Sequence, residues 1–420
     1  MAYLYLIVLI ILIFRFRRNF EATLIAYAPF KLVFHRGIEL VDIPGIPVIN
    51  LDLVITIVAF FFFSKRKFLY SNQSIPNFIK IGCVIYCIGC FVYGSFHRFV
   101  PQIFFYEPIT VFLYFYMLMK VIGSGEQLRN LIKGFIIVGA VLCIDAFVDV
   151  LTGHNIIIEI EQLQAGPHFW LSENDVFRAG MTRTTSFMGH SIAMGTIASL
   201  IWGILMISYF KTVQYINVNK LFIFVVCALP MCMLLANSRT TIFTVLCFTP
   251  LFLNSKAIFS KSGIFLFVAI ILTISLNYEY VEWLYNSVFH EDKTAIGGST
   301  TDLRERQFDI AMYYFLQNPI LGTGIDFDVL AYEDEKDVMG MESVWLQLFM
   351  YQGLVGVVAY VWLLLTGLIS FFKYNIHYIW FSLAWVVSIT FSSQVSVSMF
   401  LYVIAIIISY KTYCFKKFEL

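Results

Sequence analysis

Residues 221–253 read LFIFVVCALPMCMLLANSRTTIFTVLCFTPLFL. Two apolar runs, roughly 221–237 and 240–254, meet at Asn237-Ser238-Arg239 with no room for a loop. Neither run carries a charged residue, so neither shows the polar stripe a surface helix needs. Two helices apolar on all sides and joined by so tight a turn read as a hairpin inside a membrane. Arg239 is then the anomaly. A buried arginine without a partner is expensive, and two threonines follow it where an acidic partner would be expected.

The rest of the chain repeats the pattern. It is 60% apolar and 13% charged with mean hydropathy +0.81, far from the roughly 25% charged of soluble domains. Further candidate spans lie at roughly 46–63, 79–97, 103–122, 134–151, 191–210, 264–281, 353–372, 378–394 and 395–410. Two shorter runs, 2–14 and 20–34, precede them, the second interrupted by Pro29 and Lys31. The expected fold is an all-α polytopic membrane protein of about 12 transmembrane helices. The run Ala2–Phe14 comes before its basic cluster and lacks a small-residue cleavage site, so it is expected to persist as a helix. A net charge of +1 gives no case for nucleic acid.

Lys and Arg set the orientation. Alternate loops hold Arg15/Arg17/Arg18, Lys65/Arg66/Lys67, Lys120/Arg129/Lys133, Lys211/Lys220, Lys256/Lys261, Lys373 and Lys411/Lys416/Lys417. These loops are therefore placed in the cytoplasm. Three parts of one integral membrane domain follow: helices over 1–281 with a smaller external loop at 152–190, a large and partly helical external loop at 282–352, and helices with a cytoplasmic tail over 353–420. Internal repeats are not evident. Nor is a matched pair of Gly/Pro-broken helices, the mark of an inverted-repeat transporter.

On this topology Arg239 is external, and it has company. RAGMTRTTSFMGHSIAMGT (Arg178–Thr196) brings Arg178 and Arg183 to a helix start. TTDLRERQFDIAMYYFLQNPILGTG (Thr300–Gly324) brings Arg304 and Arg306. Arginine holds phosphate oxygens through paired hydrogen bonds, so such a cluster at the bilayer edge suits a lipid-linked phosphate or pyrophosphate. The competing readings are snorkelling to headgroups and pairing with loop carboxylates such as Asp302 or Asp309. In the second segment helical spacing of Phe308, Ile310, Ala311, Tyr314 and Phe315 predicts a helix ended by Asn318-Pro319, with Gly322 and Gly324 in a turn. DFDVLAYEDEKD (Asp326–Asp337) reads as a solvated face or lid. Glu107, before Pro108 in an apolar run, is a functional candidate or an arginine partner. His190 at a helix start is a cap or a base; His154, His168 and His290 read as solvated. Cys83, Cys87 and Cys90 have helical spacing, read as small residues at a helix contact. Trp170 and Trp345 are the loop aromatics that could stack on a sugar.

Four of these stretches together resemble the O-antigen polymerase and O-antigen ligase superfamily: RTTSFMGHSIAMG (Arg183–Gly195), NSRTTIF (Asn237–Phe243), LRERQFDIAMYYFLQNPILGTG (Leu303–Gly324) and ESVWLQLFMYQGLVG (Glu342–Gly356). The resemblance implies a GT-C-like membrane glycosyltransferase of the bacterial inner membrane, working at the periplasmic face on glycans carried by undecaprenyl pyrophosphate, without a metal or other cofactor. A chain-length regulator is a common partner in that family. Carried onto matching positions, Arg183, Arg239 and Arg304 would bind the donor pyrophosphate, with Arg306 the neighbour competing with Arg304. Ligases carry a His-Asn pair eleven residues before a glycine; counting back from Gly353 reaches Glu342-Ser343 instead. That departure favours a polymerase of O-antigen or capsular polysaccharide, with Glu342 as base, over a ligase acting on lipid A core. A transporter or flippase for the same lipid-linked oligosaccharide is the rival of another class. It would place its ionisable residues near the midplane. A structural subunit of an export assembly would need no arginine cluster.

Overall fold

The computed structural model describes residues 2–34, 39–41, 49–66, 75–95, 106–155, 177–178, 181–211, 216, 218–251, 268, 301–324, 341, 343–392 and 395–418. Helix dominates them. Among the described residues four helices are long and apolar enough to cross a membrane (Gly125–Thr152, Ser191–Phe210, Val344–Tyr374 and Ser398–Lys416), and five shorter apolar ones accompany them. This suits a polytopic membrane protein. Almost all of the run expected at 264–281 lies outside the described residues, as do Glu342, Trp170, His168, His290 and the stretch 326–337. The chain divides into two compact units. The first is Met1–Gly134, Leu303–Ser382 and Ile389–Leu420; the second is Phe135–Asp302 and Leu383–Ser388.

The first unit opens with α1 (Ala2–Arg18) and α2 (Phe20–Phe34). A short antiparallel pair, β1 (Glu39–Val41) with β2 (Ile49–Asn50), leads to α3 (Leu51–Ser64). Asn50 caps α3 by accepting the Leu53 N–H at 2.8 Å. The interruption at Lys31 has its explanation here. Lys31 and Asp52 are 4% and 3% exposed, and the ammonium bonds both carboxylate oxygens. The Tyr27 hydroxyl donates to Asp52 at 2.9 Å, and the Tyr114 ring lies 4.5 Å under the ammonium. Asp52 also sits in the first turn of α3, where the helix dipole favours an anion. Removing one partner of such a pair typically costs about 3–5 kcal/mol, because the other charge stays buried alone. Asp52→Ala should therefore lower the unfolding temperature of the detergent-solubilised chain sharply. Lys31→Met/Asp52→Leu should recover most of the loss; a single variant as stable as the double would refute the pairing argument.

Next come α4 (Asn77–Ser95), a π-helical turn at Pro108–Leu113 and α5 (Tyr114–Val121). The following helix, α6 (Gly125–Thr152), starts well before the apolar run expected at 134–151. Ser124 Oγ accepts the Gln127 N–H at 3.3 Å and Gln127 Oε1 accepts the Ser124 N–H at 3.2 Å, a capping box that carries the helix into its polar flank. Gly82 and Gly89 let another helix approach α4: a Cβ at the first would strike Thr366 and at the second Ala359.

Those two residues belong to a helix late in the chain; the intervening helices of the second unit come first in order. They are α7 (Ser191–Lys211), α8 (Lys220–Leu235) and α9 (Arg239–Leu246). The helix Thr301–Gln317 is α10, and Val344–Tyr374 is α11, so it is α11 that carries Thr366 and Ala359. Its backbone breaks at Gly353 (φ 60°, ψ −152°). Trp345 and Tyr360 are fifteen residues apart, about 22 Å in a straight helix, yet their ring centroids are 5.7 Å apart. Residues 344–352 thus fold back along 354–374 as the short arm of a helical hairpin. The turn after α10 staples the elbow: Leu354 and Val355 N–H donate to the Pro319 and Ile320 carbonyls (2.9 and 3.2 Å), and Thr323 and Gly324 N–H donate to those of Met350 and Tyr351 (2.7 and 3.2 Å). Irregular backbone at membrane depth is tolerated only where such bonds are remade. The long arm, 21 residues from Leu354 to Tyr374, spans about 31 Å and matches the span expected at 353–372. Helices α12 (Ile379–Thr390) and α13 (Val395–Phe418) complete the chain, with the Tyr402 hydroxyl donating to the Leu364 carbonyl at 2.9 Å.

In the second unit, α7 is buried on every side. Between Ser191 and Ser208 only Ile192 keeps partial exposure, as expected of a helix apolar all round. Asn219 caps α8 by accepting the Phe222 N–H at 2.9 Å. Gly203 of α7 makes room for the Phe248 ring. Helix α9 is shorter than the run expected at 240–254: it ends at Leu246, and a 3₁₀ turn occupies Thr249–Leu251. Pro250 accounts for this, since a proline disfavours the helical conformation of the residue before it.

Candidate active site

Two of the arginine-bearing segments meet in the second unit. The chain leaves the small antiparallel pair β3 (Phe177–Arg178) and β4 (Met181–Thr182), and then passes the end of α8. The Thr184 N–H donates to the Leu235 carbonyl at 3.2 Å, and Arg183 Nε donates to the Ala236 carbonyl at 3.2 Å. Arg183 is 5% exposed. Three residues beyond Ala236 stands Arg239, half-buried at the first position of α9. Gly195 of α7 brings the two helix starts together, because a Cβ there would collide with Thr241 and Ala236.

Both segments are held in unusual backbone. Among the described residues, the non-glycine residues with positive φ are Ser186 (44°) and Asn237 (47°). The first lies three residues after Arg183, the second two before Arg239. Such strain persists only where the surroundings impose it, and it gathers at functional sites. The Ser191, Thr196 and Thr241 hydroxyls are buried here with no hydrogen-bond partner among the described residues.

What imposes the first turn is a pair of carboxylates that sequence reasoning missed. Asp149 Oδ2 accepts from Thr184 Oγ1 (2.9 Å), from the N–H groups of Thr185 and Ser186 (3.0 and 3.4 Å) and from Asn155 Nδ2 (3.3 Å). Asp145, one helical turn earlier on α6, accepts the Ser186 hydroxyl at 2.7 Å. The signal was present: two aspartates at i and i+4 inside an apolar run are functional candidates by default.

The other expected residues are distributed as follows. Arg178 lies on β3. His190 is half-buried, and its carbonyl accepts the Met194 N–H at 2.9 Å at the start of α7. In the first unit, the Arg304 guanidinium stands 5.2 Å from the centre of the Phe391 ring and Arg306 is exposed. Glu107 opens the π-helical turn and accepts the Tyr86 hydroxyl at 2.6 Å, with Cys90 Sγ at 3.9 Å. Trp345, expected as a loop aromatic, is a helix residue instead, its indole N–H donating to Thr390 Oγ1 at 3.0 Å and its ring packed on Tyr360. Glu342 lies outside the described residues, between Met341, which is buried, and Ser343, which precedes α11.

Residues 222–361, one third of the chain, match the family described as O-Antigen ligase. The match includes Arg239, Arg304 and the elbow at Gly353, and it supports the O-antigen ligase and polymerase superfamily. It also supports a function of the polymerase or ligase type in general. No curated protein and no solved structure matches the chain.

Proposed function

We propose that the protein is a membrane glycosyltransferase that joins lipid-pyrophosphate-linked oligosaccharide repeats into a polysaccharide at the external, periplasmic face of a bacterial inner membrane. The observation that carries this reading is the corner where Arg183 and Arg239 lie on hydrogen-bonded segments beside two strained turns. Guanidinium groups fixed in advance suit a leaving group that gathers charge only in the transition state. Helix α9 adds the positive end of its dipole at Arg239.

In the proposed reaction a hydroxyl of the acceptor repeat attacks the anomeric carbon of the donor glycan. The carbon–oxygen bond to undecaprenyl pyrophosphate breaks as the new glycosidic bond forms, with inversion. Arg183 and Arg239 hold the departing diphosphate. Glu342 takes the proton of the attacking hydroxyl, as a carboxylate can when its pKa suits the task. Arg304 is a further pyrophosphate ligand in this proposal, with Arg306 its neighbour. The proposed architecture keeps about 12 spans and the periplasmic loop at 282–352.

A ligase reading has one observation in its favour, the description of the matched family. Against it stands Glu342-Ser343 where the ligase histidine would be. Reconstitution of the full chain with purified lipid-linked repeats separates the readings. A product ladder supports polymerisation, and a single product carrying lipid A supports ligation. Unaltered substrate delivered to the opposite leaflet would refute both. In this assay Glu342→Gln should slow turnover by about 100-fold or more with little change in donor binding; an unchanged rate removes Glu342 as the base.

A further inference from the structure

We propose that Asp149 is the positioning residue for Arg183, presenting that guanidinium to the donor pyrophosphate through the nest of hydrogen bonds on its carboxylate. The inference rests on the pyrophosphate reading of the arginines.

Asp149 is 8% exposed on an apolar helix, a place where an ionisable group is retained only for a purpose. The described donors to its Oδ2 are a hydroxyl, two backbone N–H groups and a side-chain amide. Three of the four come from Thr184, Thr185 and Ser186, the residues directly after Arg183. Asn155 closes the arrangement: its amide also donates to the Ser186 carbonyl at 2.8 Å and to Thr185 Oγ1 at 3.2 Å. On its other side the segment is tied to the end of α8 through the Thr184 N–H and Arg183 Nε. The backbone at Arg183 is thus clamped between α6 and α8, and Ser186 is held in a conformation serine rarely adopts. An ordinary loop arginine would lose side-chain freedom on gripping a ligand; a clamped one has lost much of it already. Asp145 secures the far end of the same turn through Ser186.

The test uses the full chain in lipid nanodiscs and undecaprenyl pyrophosphate as probe, with dissociation constants read beside the unfolding temperature of each variant. Asp149→Asn should weaken binding by about 10–100-fold, the effect of disturbing hydrogen bonds to a charged group. Asp149→Glu should restore part of it. Thr184→Val removes a single donor and should weaken binding by a smaller factor in the same direction, which keeps the test open if Asp149→Asn folds poorly. The informative variant is Arg183→Ala/Asp149→Asn. If Asp149 acts through Arg183, the double variant binds no more weakly than Arg183→Ala alone. Additive losses would mean that Asp149 only supports the fold, and the proposal fails. Unchanged binding in Asp149→Asn overturns it while leaving the arginine reading intact. A wild-type chain that does not bind the probe, or an Arg183→Ala chain that binds it normally, overturns the arginine reading itself.

Discussion

Arg239→Ala is expected to slow glycan joining by about 100–1000-fold, the loss that follows removal of one preorganised donor from a developing negative charge. The substitution leaves Ser238, Thr240 and Thr241 in place, and they rather than the arginine are the buried residues of this turn. The variant should therefore insert and melt like the parent. Arg239→Lys should recover only part of the rate, since an ammonium keeps the charge but loses the planar fork that grips two phosphate oxygens at once. The measurement is the initial rate of ladder formation in proteoliposomes, normalised to inserted protein. Full activity in Arg239→Ala would falsify its assigned role, and with it the centre of the proposed site.

Gly353→Ala is expected to damage the protein in a different way, by opening the α11 hairpin. The backbone there (φ 60°, ψ −152°) lies in a region open essentially to glycine alone. A Cβ would meet Gly322 N, Ile320 C and Pro319 O, each at 2.7 Å. All three are backbone atoms of the stapling turn and cannot swing aside. Strain of about 1–3 kcal/mol and overpacking of about 1–3 kcal/mol then act together, enough to unlatch the short arm. Gly153→Ala is the control: its φ is also positive, at 70°, but nothing lies within 4 Å. The pair separates strain from collision. Gly353→Ala should show a much lower melting temperature and new protease cleavage within 319–352, whereas Gly153→Ala should lose little. Equal behaviour of the two would mean that the staple contributes nothing.

Apolar runs made most of the helices legible, because a membrane core demands them and little else in the chain resembles them. The helix at Thr301–Gln317 was legible from its spacing, and the turn after it from Asn318-Pro319 and its glycines. What that turn binds was not. The staple joins backbone to backbone and has no side-chain signature, so in the sequence Gly353 serves only as the landmark from which Glu342 is counted. Lys31 was visible as an interruption but its partner was not, since Asp52 stands twenty-one residues away on another helix. At the candidate site the arginines stood out as charges where none were expected. Asp145 and Asp149 did not, because an anion carries no sign of phosphate binding and the loop residues they hold stand thirty-five and forty-one positions away.

The Lys31–Asp52 pair also bears on how the protein is made. A lysine or an aspartate costs up to about 2.5–3.5 kcal/mol on insertion of a lone helix, the full figure at its centre and less toward its ends; Lys31 lies in the last turn of α2 and Asp52 in the first of α3, and α2 carries Pro29 as well. Neither helix is a good passenger by itself; neutralised by each other they become one. The nascent chain should therefore hold α2 at the translocon until α3 emerges, and the two should leave for the lipid together. Variants at either residue would then show their first defect during synthesis, as failed topogenesis, before any question of folded stability arises.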